Sequence, residues 1–181
     1  HYYGRGGAAI TMNNTLPIRL RAMEPEDLDM LYGIENDSEV WDVGDNNVPY
    51  SRYILHDYIA HAQADIYVDR QVRMVIVNAE GTAVGVVDVV NFSPTHRRAE
   101  VSIIIMKAHR HKGYGQAAMQ QVIAYARHTL HLHQLYAVVG EGNVASEALF
   151  RKVGFVPQTT LTDWLYDGQQ YHTATLLQRI L

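Results

Sequence analysis

The stretch Ile103-Ile104-Ile105-Met106-Lys107-Ala108-His109-Arg110-His111-Lys112-Gly113-Tyr114-Gly115-Gln116 decides the fold. An apolar strand runs into a short, basic, glycine-punctuated loop that opens directly onto a helix. Downstream, Met119, Val122, Ile123, Ala126 and Leu130 recur at spacings of three and four, which predicts a helix over Gly113 to Leu130. Glycine lets the backbone turn tightly and brings successive N–H groups against an anion with no Cβ in the way. A helix start adds unpaired donors and the positive end of the helix dipole. Arg110, His111 and Lys112 place basic groups beside that cradle, where they can add charge to a pyrophosphate; a glycine-rich turn before an ordinary helix is the alternative, against which the arginine three residues before the first glycine weighs. A P-loop would need Gly-Lys-Ser or Gly-Lys-Thr four residues after a first glycine, and it is absent. A dinucleotide fingerprint would need three spaced glycines, and this loop has two.

Working outward, Ile18 to Ala22 alternates as a strand, and Glu24, Pro25, Glu26 and Asp27 read as a helix start. Leu28, Leu31 and Ile34 give that helix its buried stripe. Asn46-Asn47-Val48-Pro49 signals a loop, after which Ser51 is placed to cap a helix bearing Ile54, Tyr58, Ile59 and Ala62. Strands are predicted over Val72 to Asn78, Ala83 to Asn91 and Arg98 to Lys107, joined as antiparallel hairpins. Leu135 to Val139 is a further strand. Asn143 to Val153 reads as a helix with an N-cap residue, and Gly154-Phe155 fits a left-handed C-cap. Leu161 to Tyr166 and Tyr171 to Gln178 flank the turn at Asp167-Gly168. The expectation is one α/β domain over residues 17–181, preceded by a flexible arm or appended remnant over residues 1–16.

Composition narrows the classes of function. The chain has 181 residues, 48% of them hydrophobic, and a formal net charge of −4, so a broad basic surface for nucleic acid is not expected. No apolar run approaches the roughly 20 residues needed to cross a bilayer, and no leader pattern is evident. A cytoplasmic protein without a membrane partner is the expectation. The chain has no cysteine, which removes disulfide frameworks, cysteine nucleophiles and thiolate metal sites. Its histidine groups, His109-x-His111 and His128-x-x-His131-x-His133, lack a spaced carboxylate or a His-Glu-x-x-His pattern, so no metal site is expected.

Arg110-x-x-Gly113-x-Gly115 resembles the acyl-CoA pyrophosphate loop of the GCN5-related N-acetyltransferases. Asn143-Val-Ala-Ser146-Glu-Ala-Leu-Phe150-Arg-Lys-Val-Gly154-Phe155 resembles the same family's second cofactor segment, and the two fall in the family's order and spacing. His96-Arg97-Arg98-Ala99-Glu100 is similar to a segment of the bacterial spermidine/spermine N-acetyltransferases, whereas the opening and closing stretches are shared with acetyltransferases of ribosomal proteins. The resemblance implies a mixed, mostly antiparallel sheet with helices on both faces and a V-shaped slot for acyl-CoA. It implies acetyl-CoA as cosubstrate, an acyltransferase acting on a primary amine such as that of a polyamine, and a homo-oligomer. A protein N-terminal acetyltransferase and a non-catalytic CoA-binding regulator stand as alternatives.

The same resemblance implies roles for individual residues. Ile104, Ile105 and Met106 would offer strand-edge backbone groups to the pantetheine arm. Arg110, His111, Lys112, Gly113, Tyr114 and Gly115 would cradle the pyrophosphate, with Ser146 and Phe150 among the remaining cofactor contacts. Asn143 would either bond the pantetheine arm or cap its helix. Glu100 is the candidate base, because a protonated alkylamine with a pKa near 10 must lose a proton before it attacks a thioester. Asp88 and Asp42 join Glu100 as candidate substrate contacts. At position 150 many relatives carry a tyrosine that protonates the departing thiolate; here Phe150 has no proton to give. The loop from Asp42 to Pro49 also departs from the acidic pair of the polyamine enzymes.

Overall fold

The alternating segments pair into a single sheet in the computed structural model, which describes residues 16–36, 51–61 and 65–181. The strands are β1 (Ile18–Ala22), β2 (Val72–Asn78), β3 (Ala83–Ser93), β4 (Arg98–Ile105), β5 (Gln134–Gly140), β6 (Val156–Tyr166) and β7 (Tyr171–Ile180). Their spatial order is β1-β2-β3-β4-β5-β7-β6. Every neighbouring pair is antiparallel except β4–β5. The helices are α1 (Leu28–Glu35), α2 (Arg52–His61), α3 (Ile66–Asp69), α4 (Tyr114–His128) and α5 (Val144–Lys152). None of the described helices is long and apolar enough to cross a membrane.

Side-chain alternation assigns the two faces. Ala99, Val101, Val87 and Val89 point to one side, where they meet Ala118, Met119, Val122 and Ala126 of α4 in the main core. The predicted stripe of α4 is thus its buried face. On the other side, Val75 and Val86 are buried, as are Leu31 of α1 and Leu55 of α2. The two predicted caps are present: Ser51 Oγ accepts from the Ile54 amide at 3.1 Å, and Asn143 Oδ1 accepts from the Ser146 amide at 3.2 Å.

Several boundaries differ from expectation for physical reasons. The strand predicted to reach Lys107 ends at Ile105, because Lys107–His109 form one tight turn. Strand β6 begins at Val156 rather than Leu161; it is a sheet edge and mostly exposed, so it carries no hydrophobic alternation to read. The arm up to residue 15, and the loop carrying Asp42 and Asp45, lie outside the described residues.

The entry into α1 is fixed electrostatically. Asp27 is only 5% exposed and accepts two hydrogen bonds from Arg21, at 2.7 and 2.9 Å, and one from the Glu24 amide at 2.8 Å. The Arg21 guanidinium holds the carboxyl below the usual carboxylate range against the opposing effect of burial. Because the folded-state pKa is depressed, this stabilisation is present above the unfolded value near 3.9 and is lost as pH falls through the folded one. Asp27→Asn is expected to lower stability by about 2 kcal/mol at pH 7. Urea titrations should show that difference closing below about pH 4; a difference independent of pH would contradict this role.

Candidate active site

Strands β4 and β5 run parallel for only three residue pairs, Arg98–Gln134, Ala99–Leu135 and Glu100–Tyr136. Beyond Glu100–Tyr136 no further β4–β5 pairing forms among the described residues, although β4 stays bonded to β3 and β5 to β7. The sheet therefore splits toward the C-terminal ends of both strands. A cleft of 480 Å³ lies at this split, lined by Ile103, Ile104 and Ile105 of β4, the loop to α4, and α5.

The loop is built as an anion cradle. His111 (φ 62°) and Gly113 (φ 89°) both adopt left-handed backbone, turning the chain twice within four residues. Gly113 is the N-cap of α4, and no side chain caps it, so the amides of the first turn face the cleft. Gly115 is buried, and a Cβ there would lie 2.9 Å from Leu149 of α5; its lack of a side chain sets how closely the two helices approach. The guanidinium of Arg110 donates through Nε to the Ile105 carbonyl at 2.9 Å, which fastens the loop back onto β4. Asn143 lines the cleft while capping α5, so the two roles open for it in the sequence are compatible in place.

The structure brings together most of the expected cofactor residues. Ile104, Ile105, Arg110, His111, Gly113, Tyr114, Gly115, Asn143 and Ser146 line the cleft. Met106 lies at its margin, its amide donating to the Val84 carbonyl at 2.9 Å, and Lys112 is exposed beside the loop; neither is among the lining residues. Phe150 is not among them either: it is 2% exposed and packs on Phe155 with ring centroids 5.0 Å apart. The C-terminus of α5 explains this. The Phe155 amide bonds the Phe150 carbonyl, the Gly154 amide bonds the Arg151 carbonyl, and Gly154 has φ 95°, the pattern of a Schellman cap with its apolar contact. The lining also includes Ala145, Ala148, Leu149 and Lys152, a three-and-four stripe on α5 that sequence reading left unassigned. Two small residues in that stripe open room beside the loop.

The candidate acid groups lie across the sheet from α4. Glu100 pairs across strands with Val90 and Tyr136, and Asp88 pairs with Ser102, so these residues share one face. Glu100 accepts a hydrogen bond from Asn91 at 3.0 Å. Asp88 is bonded to Arg73 at 2.5 and 2.8 Å, and Arg73 also reaches Glu35 of α1 at 2.6 Å. With Tyr58 these three residues line a 250 Å³ cavity whose wall includes Val90, the neighbour of Glu100.

A family model described as an acetyltransferase (GNAT) domain matches residues 18–156. The chain belongs to the GNAT acetyltransferases. The spermidine N(1)-acetyltransferase of Escherichia coli K12 is 29% identical over 161 residues, covering 87% of this chain and 82% of that protein. The Vibrio cholerae spermidine N(1)-acetyltransferase is 26% identical over 160 residues, covering 88% and 90%. A crystal structure of spermidine N-acetyltransferase from Vibrio cholerae, in complex with CoA and spermine, superposes with a TM-score of 0.79 at 23% identity, covering 90% of this chain and 95% of that one. That likeness establishes the GNAT fold for this chain, and membership of the acetyltransferase family makes it an acyltransferase whose cosubstrate is acetyl-CoA. The cradle suits such a donor: an uncapped helix start for the pyrophosphate and a split sheet edge for an extended amide-bearing arm.

Gly113→Ala tests the cradle. A side chain in left-handed backbone costs about 1–2 kcal/mol, and a Cβ there would crowd Leu16 at 3.2 Å. The loop should shift and weaken acetyl-CoA binding roughly five- to thirtyfold by calorimetry; unchanged affinity would remove this loop from the cofactor site.

Proposed function

We propose that this chain acetylates a primary amine of a polyamine such as spermidine or spermine, with residues 17–181 acting as one catalytic domain. What chiefly supports this reading is Glu100 at the last β4–β5 pair, on the sheet face it shares with Asp88 of the Glu35–Arg73–Asp88 cavity, while Ile103, Ile104 and Ile105 further along the same strand line the cofactor cleft. That cavity has two carboxylates against one guanidinium, an excess of negative charge suited to a cationic substrate. The likeness to spermidine N(1)-acetyltransferases along most of the chain supports the same substrate class.

In the proposed reaction the loop at Arg110–Gly115 and the first turn of α4 hold the pyrophosphate, while the open edge of β4 at Ile104 and Ile105 and the side chains of Asn143 and Ser146 hold the pantetheine arm. Acetyl-CoA supplies an activated acetyl group as a thioester. Glu100 accepts the proton of the substrate ammonium. The amine nitrogen, now carrying its lone pair, bonds to the acetyl carbon as the carbon–sulfur bond breaks; the electron pair leaves with sulfur as thiolate, and the nitrogen's surplus proton passes to that thiolate through solvent, giving the neutral amide and CoA thiol. Transfer is direct, without an acyl-enzyme. Asp88 acts through Arg73, setting the wall of the acceptor cavity; Asp42, outside the described residues, is a further candidate for an acceptor contact. A homo-oligomer in the cytoplasm is part of the same proposal.

Thiol release from acetyl-CoA in the presence of spermidine, spermine, lysine or short peptides tests the substrate class. Saturable release with polyamines is expected. Release with peptides alone would reassign the chain to protein N-terminal acetylation, and fold stabilisation by CoA without release would make it a regulator. Glu100→Gln should lower kcat/KM for spermidine at pH 7 by about 100-fold or more, with acetyl-CoA affinity unchanged.

A further inference from the structure

We infer that Asn91 is a positioning residue for the Glu100 carboxylate, carried there by a β-bulge at the point where β4 and β5 part. The inference rests on Glu100 serving as the base in the proposed reaction. Between the pairs Val90–Glu100 and Ser93–Arg98, two residues of β3, Asn91 and Phe92, oppose the single Ala99 of β4. Asn91 has φ 50°, a left-handed conformation that Asn tolerates better than most residues. The extra residue separates two tasks. Phe92 turns into the core, 4% exposed, with its ring edge-on to Tyr67 at 5.2 Å, which anchors the bulge. Asn91 turns the opposite way and donates through Nδ2 to Glu100 Oε1 at 3.0 Å. The carboxamide thereby ties β3 to β4 at the apex of the split, where Glu100 is paired with Tyr136 of β5.

The chemistry of the donor is what makes the contact useful. A neutral amide orients a carboxylate and favours its ionised form without cancelling its charge, so Glu100 keeps its attraction for an ammonium group. Two of the basic neighbours are engaged elsewhere: Arg97 donates to the His131 carbonyl at 2.9 and 2.6 Å, and Arg73 is held by Asp88 and Glu35. Among the described residues, the charged and titratable groups on this face near Glu100 include Tyr136 on β5, Arg98 on β4 and Asp88, with Arg73, on β3 and β2. Burial and the Glu100 charge keep the Tyr136 hydroxyl above its ordinary range, so it stays protonated at neutral pH.

Asn91→Asp separates positioning from scaffolding, since Asp keeps the shape and tolerates the left-handed backbone while replacing the donor with a second negative charge. In the full chain, assayed with spermidine and acetyl-CoA, the acid limb of the kcat/KM profile should move up by about one pH unit. At pH 7, kcat should fall about tenfold, with the acetyl-CoA KM within twofold of wild type and little change in melting temperature. Asn91→Ala should lower kcat similarly and move the acid limb upward by less than Asn91→Asp does, since it removes the donor without adding a negative charge. If Asn91→Asp leaves the acid limb in place while Glu100→Gln is inactive, or lowers only the melting temperature, Asn91 does not position Glu100. Full activity in Glu100→Gln would instead overturn the base assignment itself.

Discussion

The parting of β4 from β5 after three pairs is the constraint on which the rest of this structure depends. A sheet that opens in its middle leaves two edges whose amide and carbonyl groups need partners. Here the edges are contained by their outer neighbours, β3 and β7, which continue along the full length of both strands. One of the last carbonyls of β4, that of Ile105, is taken by Arg110, which sets the start of the loop relative to the opening. Close approach of α4 and α5 at Gly115 and Leu149 then closes the cleft on the core side. Strand edge, loop and helix start are parts of one device, because each is located by where the pairing stops.

The opposite face has a separate origin. Its apolar layer under α1 and α2 is smaller than the main core, and polar ties cross it: Arg21–Asp27 at the entry to α1 and Arg73 between Glu35 and Asp88. Arg73 is flanked by carboxylates on an element of each kind, strand and helix, with the Tyr58 ring 5.9 Å away. Such a group costs more to strip of its partners than an exposed pair would. A wall held partly by charges leaves a cavity with two carboxylates in its lining, on the sheet face that also carries Glu100.

How much of this was legible in the sequence depends on where each signal resides. The loop at Arg110–Gly115, the α4 stripe and the Gly154 cap are local patterns, and all three are legible in the sequence. The Arg73 network is not, since Glu35, Arg73 and Asp88 are brought together only by strand register and by α1 crossing the sheet. Asn91 gave no signal because a bulge is a property of pairing, not of one strand. Phe150 shows the converse: resemblance assigned it to the cofactor, whereas its own chain geometry makes it the apolar half of a helix cap. The stripe Ala145–Ala148–Leu149–Lys152 carries no assignment in the sequence, because alanines on a helix face are ambiguous until the neighbouring loop is in place.

Phe150 and Glu100 also let the two proton transfers of the proposed reaction be weighed. An alkyl thiol with pKa near 8.5 leaves as thiolate at a cost of about 2 kcal/mol relative to its protonated form at pH 7, whereas freeing an amine with pKa near 10.4 costs about 4.6 kcal/mol. The base is therefore the more demanding of the two groups. Phe150 fills its place in the cap through its ring alone, so the absence of a hydroxyl there leaves α5 and the Phe155 contact intact. A chain with no cysteine and no acid at position 150 can still run the reaction if its one indispensable proton acceptor is well placed. The bulge at Asn91 supplies that placement at the point where the sheet divides.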